Sequence, residues 1–527
     1  MFHTYQINNV SAPIDADENQ LNAAAAAKAG IPVSAIENFT VIKKAIDARN
    51  KNDVHFVYAF AITTSAAIAT TNEVFLSPLP EKEPSMPPPI AKLRPIIIGG
   101  GPAGMFAGLA LAEAGFKPII IERGEPVEKR KRTVLNFWRR GILDPSSNVQ
   151  FGEGGAGTFS DGKLMTGIKK DFFVKKVFAE LTAAGAPPEI NLLAKPHIGT
   201  DNLRTVVANI RRKIISLGGE YRFNTLMTGI IVKDDRIIGI ETESNEKKDE
   251  IAADKVILAI GHSARDTFAM LYRAGVCLEQ KPFSVGFRIE HKQQNVNRAQ
   301  YGKFAGDPRL PAADYKMAAH FKDERSAYTF CMCPGGVVVG AASEAGKLAT
   351  NGMSEFKRDG ENANSALLAE IGKSDLRSPH PLAGIALQRE IEEKAFRQGG
   401  GNYFAPCELV GNFLKDKPST DFGDVMPTYR PGTVFGSIKE LFPDAVIVTL
   451  KKAIVEMDKK LRGFAAFDAV ITAPETRSSS PVRIVRDASM QSNVKGLFPC
   501  GEGSGYAGGI TSSAADGLKA AFAAYGD

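Results

Sequence analysis

The chain has 527 residues, of which 44% are hydrophobic and 24% charged, with a formal net charge of +6 at pH 7. This length predicts two or three domains, and so mild a positive charge does not indicate a nucleic-acid partner. Five cysteines, together with first residues that do not match a signal peptide, predict a reducing, cytoplasmic compartment. Polar residues interrupt the apolar stretch 54–74, so we expect no membrane span there.

The first 77 residues are predicted to form a small α/β domain. An alanine-rich helix over 21–29 precedes two segments rich in β-type residues, 39–46 and 54–62. The proline-rich stretch that follows predicts an extended linker over 78–92.

A strand, a glycine turn and a helix come next. The apolar strand 96–98 leads into a turn in which Gly99, Gly101 and Gly104 fit the dinucleotide-binding pattern G-x-G-x-x-G. The first glycine allows the tight turn, the second lets the backbone approach a pyrophosphate, and the third lets helix and strand pack closely. A second apolar strand ends in Glu122, which is placed to accept hydrogen bonds from a ribose. This combination predicts a dinucleotide site, with the phosphates at the helix N-terminus.

A second glycine-rich segment covers residues 147–164. Three of its glycines also satisfy G-x-G-x-x-G, but no long apolar strand precedes them and Asp161-Gly162 breaks any following helix. We therefore predict a loop whose backbone N–H groups wrap a cofactor, and not a second dinucleotide fold.

The last motif covers residues 496–517. An apolar strand leads to Gly501-Glu502, a glycine loop follows, and a helix of small residues begins near Gly509. This arrangement resembles the closing motif of FAD enzymes of the glutathione-reductase-like superfamily. The resemblance implies that the acid binds the ribitol and phosphate region. It also implies that the helix N-terminus faces the flavin N1–C2=O edge, where its dipole stabilises the anionic reduced flavin.

With these motifs, the segments 351–354 and 475–484 are similar to a family of bacterial FAD-utilising dehydrogenases whose substrates are not established. The resemblance runs from about residue 30 to the C-terminus. It implies an α/β fold with a Rossmann-type, glutathione-reductase-like FAD-binding domain formed by 93–275 and 481–527. An α+β substrate domain over 276–480 is expected as an insertion.

The cofactor prediction is FAD, held by these motifs and by the end of a strand at Gly261, which the resemblance places under the cofactor. Arg130, in a basic run that otherwise predicts a solvated helix face, is expected to reach the pyrophosphate. The predicted FAD-binding residues are Gly99, Gly101, Pro102, Ala103, Gly104, Glu122, Arg123, Arg130, Gly154, Gly155, Ala156, Gly157, Thr158, Asp161, Gly162, Lys163, Gly261, Gly501, Glu502, Gly508, Gly509 and Ile510.

Lys163 and His262 are the candidate catalytic residues. The resemblance implies a lysine near flavin N5, and His262 follows the strand end, where it could orient the cofactor or move a proton. A surface lysine and a structural histidine are the alternatives. Arg477 and Arg483 flank a Ser/Pro segment and are candidates for binding an anionic substrate.

Cys331 and Cys333 share one face if residues 331–333 form a regular strand. We interpret them as small core residues before the turn at Pro334, although a strained, labile disulfide stays an alternative.

These patterns predict an FAD-dependent oxidoreductase that transfers a hydride between an organic substrate and flavin N5. Because the sequence predicts no second nucleotide-binding fold, any NAD(P)H would bind transiently as electron donor. We expect a small-molecule substrate and neither a metal, a membrane nor a nucleic acid as partner. A flavin monooxygenase, and a flavoprotein that binds nucleic acid through residues 1–77, are the alternatives.

Overall fold

The computed structural model describes residues 2–78, 84–87, 93–168, 171–322 and 325–526, so most of the predicted linker 78–92 lies outside the described residues. The N-terminal part contains β1 (His3–Pro13), α1 (Glu18–Ala29), β2 (Ile36–Asp47), β3 (His55–Thr64) and β4 (Val74–Leu76). The strands form an antiparallel sheet in the order β2-β3-β1-β4. The helix and both strands predicted here are confirmed as α1, β2 and β3.

The next stretch contains the strands and helices that surround the glycine motifs. They are β5 (Ile96–Ile98), α2 (Pro102–Glu113), β6 (Ile119–Ile121), α3 (Val127–Arg140), α4 (Phe172–Ala183), α5 (Thr200–Ser216), β7 (Glu220–Arg222), β8 (Leu226–Lys233), β9 (Arg236–Ser244), β10 (Lys247–Ala252), β11 (Val256–Leu258), α6 (Arg265–Arg273) and β12 (Leu278–Gln280).

The remaining elements belong to the long C-terminal half. They are β13 (Phe283–Lys292), α7 (Gln293–Tyr301), β14 (Ala318–Ala319), β15 (Ala327–Cys333), β16 (Val337–Gly340), β17 (Thr350–Met353), β18 (Asn362–Ile371), α8 (Ala383–Gln398), β19 (Ala405–Leu409), α9 (Val410–Leu414), β20 (Thr433–Phe435), α10 (Asp444–Lys460), β21 (Val470–Glu475), β22 (Val482–Ile484), β23 (Leu497–Pro499) and α11 (Ile510–Tyr525).

A five-stranded parallel sheet has the order β23-β11-β5-β6-β7. The isoleucine triplets of β5 and β6 are fully buried because both faces of the sheet are covered. Helices α2 and α11 pack on one face, and β8, β9 and α6 contribute side chains to the cluster on the other. The first and last motifs of the sequence therefore meet in one sheet, whose carboxyl ends are the usual ligand-binding edge of such folds.

A second, seven-stranded sheet has the order β14-β15-β18-β13-β21-β19-β20. Its pairs are antiparallel except for β19 with β20. Helix α10 covers it through a large apolar cluster. Strand β22 returns the chain by pairing with β12. Within the described ranges, no helix has the length and apolar character that crossing a bilayer requires.

Candidate functional site

A cavity of about 480 Å³ lies at the carboxyl ends of β5, β11 and β23. It is lined by the glycine turn before α2, by the loop around Gly155, by Gly261–Ala264 and by the segment before α11. Residues of β15 complete the wall. The cavity thus joins both glycine motifs, the closing motif and the seven-stranded sheet.

The first glycine turn brings α2 and β5 into close contact. A Cβ on Gly104 would lie 1.9 Å from the carbonyl oxygen of Gly99, and a Cβ on Gly99 would lie 2.2 Å from that of Ala259. Gly99 also has a φ of +103°, which favours glycine. The close packing predicted for Gly104 is therefore present, and Gly104 supports the cavity without lining it.

At two other positions, Gly101 and Gly508, neither a close contact nor the backbone conformation requires glycine. A Cβ on Gly101 would meet nothing closer than 3.7 Å, and one on Gly508 would meet nothing within 4 Å. The φ of Gly101 is −75°, and Gly508 has no positive φ. Both residues line the cavity. Neither the backbone nor the packing therefore requires glycine at these two positions. The close approach of a ligand does require a residue without a side chain, so both positions fit contact with an extended cofactor.

Glu122 connects the two glycine loops. Its Oε2 accepts a hydrogen bond from the Gly100 N–H at 2.7 Å, and its Oε1 accepts from the N–H groups of Gly124 (2.9 Å) and Gly152 (3.0 Å). The carboxylate is buried and lines the cavity. Because a carboxylate has about four acceptor positions, the predicted contact with a ribose hydroxyl is compatible with the three backbone hydrogen bonds.

Arg130 holds the second glycine loop and does not line the cavity. Its guanidinium is fully buried. It donates hydrogen bonds to the backbone carbonyls of Asn148, Val149, Gly152, Glu153 and Gly155. The pyrophosphate contact predicted for Arg130 is therefore replaced by a structural role. A basic run in a sequence does not show that one of its guanidiniums faces five carbonyl oxygens.

Most predicted FAD-binding residues line the cavity: Gly99, Gly101, Pro102, Ala103, Glu122, Arg123, Gly155, Ala156, Gly157, Lys163, Gly261, Gly501, Glu502, Gly508, Gly509 and Ile510. Gly154, Thr158, Asp161 and Gly162 lie outside the lining. Thr158 is buried with its hydroxyl bonded to the Glu153 carbonyl (3.3 Å). Asp161 is buried beneath the wall, where it pairs with Arg358.

Lys163 lines the cavity above Asp161. Its Nζ lies 3.1 Å from Oδ2 of Asp161, yet among the described residues this buried nitrogen has no hydrogen-bond partner. Burial alone would lower the pKa of Lys163, but the charge of Asp161 raises it above its ordinary value. Lys163 is therefore an ammonium that lines the cavity wall and is ion-paired with Asp161.

His262 also lines the cavity, and its Nδ1 lies 2.9 Å from the Ser263 hydroxyl. Burial, with the charges of Arg477 and Arg265, lowers the pKa of His262 to about 3. Its imidazole is therefore neutral at physiological pH. Of the two predicted roles, orienting a ligand suits this ring better than moving a proton, because a catalytic base needs a pKa closer to the working pH.

The two arginines predicted to bind substrate lie in different surroundings. Arg477 lines the cavity, but it is paired with buried Glu392 through Nε (3.0 Å) and Nη2 (2.9 Å). Arg483 does not belong to the lining, and its guanidinium lies 5.1 Å from the ring centroid of Tyr506. The charge of Arg477 is thus largely compensated, and Arg483 is placed away from the cavity.

The sequence interpretation of both cysteines as core residues holds only for Cys333. Cys333 is buried, but Cys331 is half-buried and lines the cavity. The pairing of β15 with β18 shifts register between Phe330 and Cys333, and Cys331 has a φ of +41°. This β-bulge breaks the alternation of faces that a regular strand would have.

Other lining residues were missed by the sequence reasoning. Some lie within the segments 147–164, 351–354 and 475–484 but carry no signal of their own, and the rest come from distant segments with no motif. The missed residues include Gln150, Phe151, Met165, Lys195, Thr225, Leu226, Met227, Asp314, Tyr315, Lys316, Thr329, Phe330, Met332, Asn351, Glu475 and Ser478.

Three family models match the chain. "FAD-dependent protein, C-terminal domain-like" covers residues 282–478, "FAD binding domain" covers 94–135, and "Domain of unknown function (DUF8436)" covers 4–63. The FAD-binding match includes the first glycine turn and Glu122, so the prediction of an FAD-binding domain is confirmed. An α/β FAD-binding fold is thereby shown.

Among solved structures, a point variant of E. coli quinol fumarate reductase FrdA is 14% identical, with a TM-score of 0.36 over 82% of this chain and 69% of its own. A 3-ketosteroid-Δ4-(5α)-dehydrogenase from Rhodococcus jostii RHA1 is 12% identical, with a TM-score of 0.34 over 84% of this chain and 100% of its own.

A protein of Clostridium beijerinckii described as uncharacterized is 46% identical over 529 residues, which cover 98% of this chain and 97% of that relative. The chain therefore belongs to the same protein family as this Clostridium protein, and it carries an FAD-binding domain.

Proposed function

We propose that the protein is an FAD-dependent oxidoreductase of the dehydrogenase or reductase type, which transfers a hydride between an organic substrate and flavin N5. The observation that carries this proposal is the pair Gly101 and Gly508. Neither needs to be glycine for its backbone or packing, and they come from opposite ends of the chain but line one cavity. Bound FAD would supply the hydride acceptor or donor, while the protein positions the reactants and sets the electrostatics.

The proposed arrangement is that of a glutathione-reductase-like Rossmann domain, formed by residues 93–275 and 481–527. The turn Gly99–Gly104 and Glu122 would hold the adenosine and pyrophosphate end. Helix α11 begins beside the lining residues Gly508 and Gly509, so the positive end of its dipole faces the cavity. That end would stabilise negative charge on a reduced flavin ring.

The inserted residues 276–480 would form the substrate side of the cavity. Lys163 would contribute a positive charge and an N–H donor beside the ring, and neutral His262 would orient the bound molecules. We expect a small-molecule substrate. NAD(P)H is retained as a transient electron donor.

Flavin retention tests the proposal directly. Gly101→Val and Gly508→Val each place a branched side chain in space left for the cofactor, so we expect each variant to lose the visible flavin spectrum. Gly167→Val is the matched control, because Gly167 is exposed and its Cβ would also meet nothing within 4 Å, but it lies outside the cavity lining. Circular dichroism checks that all three variants are folded.

A folded Gly101→Val protein that keeps FAD as tightly as the parent would contradict the proposed binding mode. For the reaction, the loaded protein is mixed anaerobically with a panel of metabolites. Bleaching of the flavin absorbance without oxygen is expected for hydride transfer. If no metabolite bleaches the flavin without oxygen, and a substrate is hydroxylated when oxygen is present, the result would instead favour the flavin monooxygenase.

A further inference from the structure

A chain of hydrogen bonds ends at His262 in the wall of the cavity. Gln150, Ser263 and His262 all line this cavity, the first in the second glycine-rich segment and the other two directly after β11. One arm of the Gln150 amide lies 3.3 Å from the carbonyl oxygen of Ala341, and the other arm lies 3.1 Å from the hydroxyl oxygen of Ser263. The same hydroxyl oxygen lies 2.9 Å from Nδ1 of His262. Four groups are thus connected in series.

The carbonyl of Ala341 sets the direction of this chain. A carbonyl oxygen can only accept hydrogen bonds, so the arm of Gln150 that faces it must be the NH2 group. The opposite orientation of the amide would set two oxygens against each other between two buried residues, which is costly. Gln150 therefore presents its oxygen, Oε1, to Ser263.

The hydroxyl proton of Ser263 is then used for Gln150. Because Oε1 carries no hydrogen, its contact with Ser263 is a hydrogen bond only if the hydroxyl donates. A hydroxyl has one proton, so Ser263 cannot also donate to His262. The lone pairs of the Ser263 oxygen can still accept, and the contact with His262 is therefore a hydrogen bond only if Nδ1 carries a proton.

The ring of His262 holds that one proton and no other. Burial, with the charges of Arg477 and Arg265, lowers the pKa of His262, so the imidazole is neutral at physiological pH. A neutral imidazole with its proton on Nδ1 has a bare lone pair on Nε2. Nε2 of His262 is not enclosed by protein, and it has no hydrogen-bond partner among the described residues. A hydrogen-bond acceptor is therefore open to the cavity at this point.

We propose that Nε2 of His262 orients the molecule bound in this cavity by accepting a hydrogen bond from its hydroxyl or N–H group. Ser263 and Gln150 are the positioning residues, because they hold the proton of the ring on Nδ1. A ketone or an ether would meet Nε2 with a lone pair of its own, so the site favours the hydroxyl-bearing form of a ligand. The inference rests on the proposed function for the identity of the bound molecule, which is the cofactor or the organic substrate.

Selective ¹⁵N labelling of histidine tests the tautomer in the purified full-length protein with its cofactor bound. The chain has seven histidines, and the variant His262→Asn identifies the signals of this ring by their loss. Protonated and unprotonated ring nitrogens have widely separated ¹⁵N shifts, and couplings to the ring protons distinguish Nδ1 from Nε2. At pH 7 we expect Nδ1 of His262 at the protonated position and Nε2 at the unprotonated one.

Two variants change the chain without touching Nε2. Gln150→Leu removes the acceptor of the Ser263 proton, so the hydroxyl becomes free to donate to Nδ1, and the ring proton should move to Nε2. Ser263→Ala removes the acceptor of the Nδ1 proton and should raise the fraction of the same alternative tautomer, which covers the case that Gln150→Leu does not fold. Circular dichroism checks the fold of each variant.

Ser478→Ala is the matched control for these variants. Ser478 lines the same cavity beside Arg477, but its hydroxyl donates to the Ser284 carbonyl at 3.2 Å. The signals of His262 should therefore stay in place when this hydroxyl is removed. A shift as large as that in Ser263→Ala would mean that the tautomer responds to any change in the wall.

The donor is identified by adding ligands in turn, since a hydrogen bond accepted by Nε2 moves its signal towards the protonated position. If the cofactor donates, the signal moves when flavin-free protein is loaded with FAD. If a substrate donates, the signal moves only when benzyl alcohol is titrated into the loaded protein, and benzyl methyl ether should bind about tenfold more weakly. Nε2 of His291, which lies 2.9 Å from the Phe464 carbonyl and outside the lining, should not move.

Two results would overturn the proposal. One is a ring proton on Nε2 of His262 in the parent protein. The other is an Nε2 signal that moves neither with FAD nor with benzyl alcohol, or that moves equally with the ether. Because the tautomer is read without turnover, a failure of hydride transfer in the anaerobic assay leaves this result standing. A wrong tautomer, in turn, leaves the tests of flavin retention and bleaching unaffected.

Discussion

At the scale of single residues, buried charges around Glu392 connect the strand end at His262 to the second sheet. Glu392 is fully buried and binds Arg265 through two hydrogen bonds of 2.8 Å, and it also binds Arg477. Because Arg265 follows His262 and Arg477 follows β21, this one carboxylate fixes both walls of the cavity. Removing it would leave two guanidiniums buried with too little negative charge.

We therefore expect Glu392→Gln to lower the free energy of unfolding by about 3–5 kcal/mol in urea denaturation at pH 7. Glu393→Gln is the control, since the Glu393 side chain is 45% exposed and pairs with Lys347 at 3.1 Å. For this exposed pair we expect a loss below about 1 kcal/mol. Equal losses in both variants would contradict the assignment of Glu392 as the structural centre of this network.

The effect of Glu392 should also depend on pH. Burial alone would raise the pKa of Glu392, but the charges of Arg265 and Arg477 hold it well below its ordinary value. A lowered carboxyl pKa stabilises the fold fully above the unfolded value, about 4.3, and the stabilisation is lost as the pH falls further through the folded value. The gap between the parent and Glu392→Gln should accordingly narrow below about pH 4.

At the scale of elements, the contact between α2 and α11 joins the two halves of the cofactor site. A Cβ on Gly517 of α11 would lie 2.0 Å from the carbonyl oxygen of Ala103 in α2. That oxygen belongs to the first turn of α2, inside the glycine motif between Gly101 and Gly104. The two helix starts therefore keep their spacing only while position 517 carries no side chain.

Gly517→Ala is expected to push α11 from α2, to destabilise the protein by about 1–3 kcal/mol and to weaken FAD binding. Thermal unfolding and flavin titration measure the two effects. Ala523→Leu, on the exposed side of the same helix, adds more volume at a similar helix propensity and should change neither. If Gly517→Ala is as stable as the parent and binds FAD with the same affinity, the spacing of these two helices does not matter for stability or for cofactor binding.

At the scale of the whole molecule, the parts predicted well from the sequence are those with local signals. The isoleucine triplets, the spacing of Gly99, Gly101 and Gly104, and the closing glycine loop all depend on neighbouring residues. Arg130 and Cys331 show the limit of what such local signals predict. The environment of Arg130 depends on how a loop folds around it, and the exposure of Cys331 depends on a bulge set by pairing with β18. Such long-range partners leave no pattern in one sequence.

The N-terminal sheet is attached to the rest of the molecule through both backbone and core. The Lys44 N–H donates to the Leu192 carbonyl at 2.7 Å, and the Ala194 N–H donates to the Lys44 carbonyl at 2.9 Å. Val54, just before β3, is buried in the apolar cluster of the seven-stranded sheet. Among the described residues, the lining of the cavity begins only at Ile98. Attachment of this sheet should therefore affect stability without affecting the cofactor.

Val54→Ala tests this separation. The lost methyl groups leave a small void between the N-terminal sheet and the seven-stranded sheet, so a loss of about 2 kcal/mol and a lower temperature of flavin release are expected. The affinity for FAD at 25 °C should stay the same, because Val54 does not line the cavity. Val33→Ala is the control, since Val33 is 45% exposed. A drop in FAD affinity in folded Val54→Ala protein would mean that the N-terminal sheet takes part in shaping the cavity.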